Sequence, residues 1–384
     1  ALALSAGHAP AQETMKIGGI MSLTGGGASI GKTAEVGWKL AIEDINAAGG
    51  ILGKKAELVL GDTMTDPTHA VSEVRRLIEN EKVEALVGPA TSQETIPVVP
   101  VATEKKIAQV SSAASTQLTP EAGPFHFSGS VTGLNQMKPN IDFAIDVLKL
   151  KKLALISDNG GMSKAAVVEI VDYLKSKGVE PTAVQEFAFR TEDMTPQLFQ
   201  MRNSGAEAIL LINSIGDDSR KLLENRADIG WDVPVLANQT MTNYAVGNAA
   251  VVGEEAFKDV YSVQFVGMTY CANDPVGASP FAKFVKRVRE QVADVDRMGG
   301  ASALIPYYIQ PMVLAAAING SGKTDGPSIA AWLQENASKV EMLTGPIQAS
   351  AKSHFLPAPE SIKVVKNPYK PREDGLVERA NCGD

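Results

Sequence analysis

Short apolar runs alternate with amphipathic helical segments along this chain, in two successive series. The first series has apolar runs at residues 17–23, 56–60, 85–87 and 107–110, and a second begins near residue 152 with strand-like segments at 153–156, 183–189, 208–212 and 233–237. Continuous apolar runs of this length are typical of strands buried on both faces of a parallel sheet. The sequence therefore predicts an α/β fold built from two doubly wound parallel-sheet lobes.

The helix after the second run carries its own start signal. Asp66 precedes Pro67, an order that favours an N-cap at the aspartate and the first helical position at the proline. Because open parallel sheets bind ligands beyond the carboxyl ends of their strands, two facing lobes share one cleft. We expect the loops after the strands to line it, at residues 24–32, 89–95, 111–116, 158–164, 213–218 and 238–243.

Charge and the sparse histidines exclude several classes of function. The 384 residues carry a net charge of −8 without a basic run, so we expect no nucleic-acid partner, since such binding rests on Lys and Arg. The four histidines are not spaced as metal ligands, and we expect no metal site. The zinc-protease and strict dinucleotide-binding motifs are absent from the sequence, so we expect neither an enzyme nor a bound cofactor.

Two features bear on export. Residues 1–7 are small and mostly apolar, and residues 9–11 read Ala-Pro-Ala, the form of a signal-peptidase site. They indicate the C-terminal end of an export signal, and the alternative is a cloning remnant or an unstructured terminus. A disulfide between Cys271 and Cys382 would fit an oxidising compartment, and two free thiols are the alternative.

One segment matches a nucleotide-binding pattern. Gly26, Gly31, Lys32 and Thr33 satisfy G-x-x-x-x-G-K-[ST] between a predicted strand and a predicted helix, which is the context of a phosphate-binding loop. A nucleotide-binding enzyme is therefore kept as a lesser alternative.

Three of the predicted cleft loops are rich in hydroxyl and amide side chains. They read Thr-Ser-Gln at 91–93, Ser-Ser-Ala-Ala-Ser-Thr at 111–116 and Asn-Gln-Thr at 238–240. Hydroxyls and main-chain N–H groups at helix starts can hold a carboxylate without an arginine. Helix capping explains one such loop equally well, but two loops after neighbouring strands of one lobe favour anion binding.

The same N-terminal region also resembles a known family. The likeness rests on the following residues: Ser22-Leu23-Thr24-Gly25, Gly31, Gly37, Ala41-Ile42, Asp44-Ile45-Asn46, Gly49-Gly50-Ile51, Gly53, Asp62, Asp66-Pro67 and Val87-Gly88-Pro89. On them the chain resembles the periplasmic solute-binding proteins of branched-chain amino acid ABC importers (leucine/isoleucine/valine-binding type), over roughly residues 16–346.

The resemblance implies a type I binding-protein fold whose two lobes are joined by three hinge crossings. Residues 15–131 and 264–344 are expected in one lobe, and 132–263 and 345–384 in the other, after a signal remnant at 1–14. It implies a periplasmic monomer without enzymatic activity or cofactor, which closes on a small carboxylate and presents the closed form to the membrane subunits of an ABC permease. A ligand-sensing domain of the same fold is a further alternative.

The resemblance places the ligand carboxylate on the first lobe. The family's ligand-binding serine corresponds to Ser92, with Ala90 and Thr91 just before it. The family's Ala-Ala-Thr loop corresponds to the segment from Ala113 to Ser115, where a serine keeps the hydroxyl. These residues are therefore expected to clamp the carboxylate.

The second lobe departs from the family's pattern. The family's two tyrosines correspond to Met162 and to Ser214 or Ile215, and the acid that pairs with the ligand's amino group corresponds to Gln239. A neutral amide cannot neutralise an ammonium, and an unpaired buried charge is costly.

The ligand is therefore expected to be a carboxylate with an uncharged tail, such as an aromatic acid, an aryl keto acid or a short-chain keto acid. Gln239 and Asn238 would read a polar substituent, and Met162, Ile215 and Tyr308 would form an apolar wall. The alternative is that another acid, such as Asp217, pairs with an ammonium and the ligand is an amino acid.

Overall fold

The first sheet is formed by five short N-terminal strands. A computed structural model describes residues 13–383 of the chain. The strands are β1 (Thr14–Met21), β2 (Lys55–Asp62), β3 (Ala85–Val87), β4 (Ala108–Ser111) and β5 (His126–Ser128). They pair in parallel in the order β2-β1-β3-β4-β5.

The second sheet has six strands. They are β6 (Leu153–Asp158), β7 (Ala183–Phe187), β8 (Ala208–Ile212), β9 (Val235–Ala237), β10 (Val260–Phe265) and β12 (Ile362–Lys366), with β11 (Thr269–Tyr270) and β13 (Val377–Glu378) forming a separate two-stranded ladder. Their order is β12-β10-β9-β8-β6-β7, and all pairs are parallel except the edge strand β12. The predicted α/β class with two parallel sheets is confirmed.

Helices follow most strands and cover both sheets. They are α1 (Ala28–Ala47), α2 (Pro67–Glu79), α3 (Ser92–Glu104), α4 (Gly133–Asp142), α5 (Gly161–Ser176), α6 (Thr195–Asn203), α7 (Gly216–Asp228), α8 (Gln239–Val252), α9 (Pro280–Gln291), α10 (Ala301–Ser321) and α11 (Gly326–Asn336). The predicted start of α2 is confirmed, because Asp66 Oδ1 accepts the His69 N–H at 2.7 Å and Pro67 opens the helix.

Helices α1 and α10 pack together against the first sheet. The α1 side chains Trp38 and Ile45 are buried in one cluster with Leu314 and Ile318 of α10. Gln310 of α10 ties the contact, since its Oε1 accepts the Trp38 indole N–H at 3.1 Å. Helix α10 is long and apolar enough to cross a membrane, yet 72% of that window is buried inside the protein, as in a core helix.

The chain passes between the lobes for the third time later than expected. Residues 345–384 were assigned to the second lobe, but Phe355 bridges to Ser128 of β5, and Ile347 and Leu356 are buried in the first-lobe core. The change of lobe lies between Leu356 and the start of β12. Hydropathy could not place this crossing, because an apolar residue packs equally well in either lobe. The remaining boundaries stay predictions.

A disulfide joins Cys271, just after β11, to Cys382, just after β13. The bond fastens the C-terminal segment to the body of the protein. Of the two states left open by the sequence, the structure has the bonded one.

Candidate functional site

A cavity of about 90 Å³ lies between the two lobes, where the carboxyl ends of both sheets face each other. The residues that line it are Ile30, Ala90, Thr91, Ser92, Ser112, Ala114, Gly129, Ser130, Gln136, Met162, Ser214, Gln239, Thr240, Asn243, Tyr244, Phe265, Ala303, Pro306 and Tyr307. Six of the ten predicted site residues are among them, namely Ala90, Thr91, Ser92, Met162, Ser214 and Gln239. Their contact with a ligand stays a prediction.

Ser92 opens helix α3 at the first-lobe wall of the cavity. Its Oγ accepts two main-chain N–H groups, from Ala114 and Ser115, each at 3.1 Å. These bonds occupy the lone pairs of the hydroxyl and leave its proton available to donate. The residue is 4% exposed, so its position is fixed by its surroundings. Ser92 is thus an oriented donor at a helix N-terminus, which is where negative charge is stabilised.

The loop after β4 faces the cavity with alternate residues. Ser112 and Ala114 line it, whereas Ala113 and Ser115 do not. Ser115 is fully buried, and its Oγ accepts the main-chain N–H of Gln117 at 3.4 Å. In extended chain, successive side chains point to opposite sides. The side chains of Ala113 and Ser115 therefore lie outside the lining, one position away from those that face the cavity. Their contact with a ligand stays a prediction.

A buried carboxylate lies beneath the same wall. Glu94 is fully buried and accepts hydrogen bonds from three hydroxyls: from Thr91 at 2.5 Å, from Ser22 at 2.9 Å and from Thr63. Since the Thr91 proton is used here, its hydroxyl can only accept from a ligand. Sequence reasoning missed Glu94, although the Thr-x-x-Glu spacing of a capping box was present as a signal.

The second-lobe wall is formed by Met162, Ser214 and the first turns of α8. Gln239 begins α8 and, with Thr240 and Asn243, faces the cavity. Asn238 does not line it: the side chain is fully buried and its Nδ2 donates to Gln136 Oε1 at 3.2 Å and to the main chain of the β8 end. Asn238 was predicted to read the ligand, but its amide is used to join two loops of the lobe.

Acidic side chains lie near this wall without reaching the cavity. Asp158 accepts main-chain N–H groups of Gly160 at 2.8 Å and Ser214 at 2.5 Å, and burial raises its pKa. Burial also raises the pKa of Asp218 to about 7. Asp217, the proposed alternative partner of an ammonium, lies in an outer cleft and pairs with Arg190 and Arg220, each at 3.7 Å.

Two phenols from opposite lobes meet at the cavity. Tyr244 of α8 and Tyr307 of α10 both line it, and burial raises the pKa of both. Tyr308 was predicted for the apolar wall, but its hydroxyl donates to Asp44 at 2.7 Å on the far side of α10. One step along a helix turns a side chain by about 100°, which accounts for the exchange of Tyr308 for Tyr307. Ile215, also predicted there, is buried in the first-lobe core cluster instead.

The segment that matches the phosphate-loop pattern has another structural role. Residues from Ala28 onward are helical, and the Thr33 hydroxyl donates to the Ser29 carbonyl at 3.0 Å inside α1. A Cβ on Gly31 would lie 2.1 Å from the Ser22 carbonyl oxygen, so this glycine is required by close packing. Lys32 faces the outer cleft of about 320 Å³, which Tyr244 separates from the inner cavity.

The inner cavity has no ionisable Asp, Glu, Lys, Arg or His side chain in its lining among residues 13–383. Within that same range, no group of three or more His, Cys, Asp or Glu side chains is arranged to hold a metal ion. The site therefore offers hydroxyls, amides, two phenols and apolar surface.

Comparison with known proteins agrees with this architecture. Residues 14–366 match the family model described as periplasmic binding protein. An amino acid binding protein of Pseudomonas aeruginosa is 27% identical over 332 residues, which cover 83% of this chain and 82% of that protein.

Two solved structures illustrate the shared fold. A solute-binding protein of an ABC transporter from Rhodopseudomonas palustris HaA2, in complex with p-hydroxybenzoic acid, has a TM-score of 0.81 at 19% identity and covers 96% of each chain. The branched-chain amino acid transporter substrate-binding protein of Streptococcus pneumoniae, in complex with isoleucine, has a TM-score of 0.78 at 23% identity, covering 95% of this chain and 98% of that one. The family match spans nearly the whole described chain, and this protein therefore belongs to the periplasmic binding protein family, with the type I fold.

Proposed function

We propose that this protein is the extracytoplasmic solute-binding component of an ABC importer, and that it binds a small carboxylate with an uncharged tail between its lobes. An aromatic acid, or an aryl or short-chain keto acid, is the proposed ligand. The observation that carries the proposal is the lining of the cavity. It has an oriented hydroxyl donor at a helix N-terminus, and among residues 13–383 it contains no Asp, Glu, Lys, Arg or His side chain.

The helix directions support an anionic headgroup. Residues at or next to the N-termini of α3, α5, α7 and α8 line the cavity, namely Ser92, Met162, Ser214 and Gln239. Each N-terminus carries partial positive charge from its unpaired main-chain N–H groups. A carboxylate is stabilised there without a lysine or arginine.

The same lining disfavours an ammonium group. Gln239 lines the cavity, and by the resemblance it corresponds to the family's acid that pairs with the amino group. The nearby Asp217 pairs with two arginines in the outer cleft. A cation buried in this cavity would lack a countercharge, and such burial is costly. A branched-chain or other amino acid is therefore the second candidate, favoured by the named activity of the Pseudomonas relative and the isoleucine in the Streptococcus structure.

The size of the cavity suits a small ligand. Its volume of about 90 Å³ is well below the roughly 300–1,000 Å³ of pockets that hold drug-sized ligands. A benzoate-type ring or a short keto acid is of this size, and a solved structure of the same fold holds p-hydroxybenzoic acid. Met162 and Phe265 supply apolar surface for such a tail.

A ligand screen tests the proposal directly. We expect the melting temperature to rise with members of a panel of benzoates, aryl keto acids and short-chain keto acids, and calorimetry to give one site per chain. Leucine and isoleucine should give little or no shift. Tight leucine binding by the unaltered protein would contradict the proposed ligand class, and a shift with Mg-ATP alone would favour the nucleotide alternative.

Gln239→Glu provides a second test. The new carboxylate is expected to weaken binding of neutral-tailed acids by about 1–3 kcal/mol, because it brings an unpaired negative charge to a buried wall. Gln197→Glu, a half-buried change on α6 of the same lobe and outside the cavity, is the matched control and should leave affinity unchanged. Equal effects of both substitutions would count against Gln239 as a ligand contact.

We also propose that the closed form delivers its ligand to the membrane subunits of a permease, and that the protein acts as a monomer. Size-exclusion chromatography with light scattering, with and without ligand, measures the oligomeric state. Pull-down of the purified permease by liganded but not by ligand-free protein would support delivery, and equal capture of both forms would contradict it.

A further inference from the structure

Three side-chain amides of the second-lobe wall are hydrogen-bonded in a row, and the orientation of each amide is fixed. We propose that this amide chain, built from Gln239, Gln264 and Asn243, selects a ligand that bears a hydroxyl group away from its carboxylate. The inference rests on the proposed function, since it concerns the tail of the same carboxylate ligand.

The chain is anchored on a main-chain donor. The Phe265 N–H donates to the side-chain oxygen Oε1 of Gln264 at 2.9 Å. A main-chain N–H can only donate, so this contact identifies the oxygen of the Gln264 amide and with it the opposite –NH₂ group. Gln264 lies on β10 and is fully buried, so water does not compete for these bonds.

The fixed amide of Gln264 sets the orientation of its two neighbours. Gln239 Nε2 donates to Gln264 Oε1 at 2.7 Å, and Gln264 Nε2 donates to Asn243 Oδ1 at 3.1 Å. If either neighbouring amide were turned over, two –NH₂ groups or two oxygens would face each other. Gln239 and Asn243 are four residues apart on α8, and therefore share one face of the helix.

Two polar atoms remain for a ligand. Gln239 Oε1 and Asn243 Nδ2 have no hydrogen-bond partner within residues 13–383, and both residues line the cavity. The wall therefore presents an acceptor and a donor side by side. A hydroxyl matches both, because it donates to Gln239 Oε1 and accepts from Asn243 Nδ2.

A keto, ether or halogen substituent matches this pair less well. Such groups accept but cannot donate, so Gln239 Oε1 would stay unpaired in a wall where Gln239 is 6% exposed and Asn243 is 9% exposed. Leaving one buried polar group unpaired weakens binding by about 5- to 100-fold. Gln264 touches no ligand in this arrangement and acts as a positioning residue.

Matched ligands and variants test the inference. Isothermal titration calorimetry compares 3- and 4-hydroxybenzoate with 3- and 4-fluorobenzoate, which are similar in size but lack the donor. For the unaltered protein we expect the better hydroxybenzoate to bind about 5- to 100-fold more tightly than its fluoro counterpart. Gln264→Leu should reduce this ratio toward one, because both neighbouring amides become free to turn.

Gln264→Glu keeps an acceptor for Gln239 and for the Phe265 N–H, but removes the donor to Asn243. It should therefore retain part of the ratio, and it provides a measurement if the leucine variant does not fold. Gln197→Leu on α6 replaces a glutamine outside the cavity and should leave the ratio unchanged.

The outcomes separate the two proposals. If none of the benzoates or other carboxylates binds, the proposed function fails and takes this inference with it. If fluoro- and hydroxybenzoates bind equally well, the carboxylate function stands and the hydroxyl selection is wrong. An unchanged ratio in both Gln264 variants would also overturn it, because the selection would then not depend on the amide chain.

Discussion

The buried histidine of β5 should make the protein lose stability in mild acid. His126 is 3% exposed, and its Nε2 hydrogen-bonds with Ser111 Oγ at 2.8 Å. Burial lowers its pKa to about 3, with a further contribution from the charge of His354, whose Nδ1 contacts the His126 carbonyl at 3.0 Å. In the native protein His126 therefore stays neutral at pH values where an unfolded chain binds a proton.

The size of the effect follows from the two pKa values. The unfolded histidine titrates near its ordinary pKa of about 6.5, and the native one near 3. The stability due to neutral His126 is complete above the unfolded value and is lost as the pH falls toward the native value. The free energy of unfolding should decrease by about 1.4 kcal/mol per pH unit in this window, or about 2 kcal/mol by pH 5 and about 3 kcal/mol by pH 4.

Urea unfolding from pH 7.5 to pH 4, followed by tryptophan fluorescence, measures this slope. His126→Gln retains a nitrogen at the end of the side chain but does not titrate, so its free energy of unfolding should fall by about 2 kcal/mol less between pH 7 and pH 5. His69→Gln on the surface of α2 is the control and should keep the slope of the unaltered protein. Parallel pH profiles for the unaltered protein and His126→Gln would refute the reasoning.

Three further predictions concern the cleft and the scaffold. Ser92→Ala should weaken carboxylate binding by about 1–2 kcal/mol. Ser115→Ala, at a residue outside the cavity lining, should change the calorimetric affinity far less, and equal losses would contradict this assignment. Gly31→Ala should lower the free energy of unfolding by about 1–3 kcal/mol, while Gly26→Ala, whose Cβ would have no neighbour nearer than 3.5 Å, should leave it within error in the same urea assay. Cys271→Ser removes a bond that spans 111 residues and should cost up to about 5 kcal/mol; unchanged unfolding of this variant and of reduced protein would contradict a stabilising disulfide.

The fold class was accessible from the sequence because central strands of the sheets are buried on both faces. The predicted run at 208–212 coincides with β8, whose five apolar residues are all buried. The run at 56–60 also lies within β2, although this edge strand is only partly buried. The start of α2 was also accessible, because Asp66 and Pro67 act locally. Strand β5 (His126–Ser128) was not predicted, because it has three residues and two of them are polar.

From the sequence, the site could be predicted only to the level of its loops. The loop after β4 was identified, but the side that faces the cavity depends on how the strand meets the other lobe, so Ser112 and Ala114 were missed in favour of their neighbours. Tyr307 was missed for the same reason, because the rotation of α10 is set by its packing against α1. The partners of Gln264 are 21 and 25 residues away along the chain. No local sequence pattern predicts hydrogen bonds between residues so far apart.

An uncharged lining has a thermodynamic consequence for ligand uptake. With no Asp, Glu, Lys, Arg or His in the described part of the lining, an already ionised carboxylate enters without a wall group having to gain or lose a proton. The calorimetric enthalpy of binding should then be the same in buffers of very different ionisation heat. On the proposed binding mode, the affinity for the solute would therefore not depend on pH while the solute stays ionised. The stability of the fold that forms the cleft would still depend on pH.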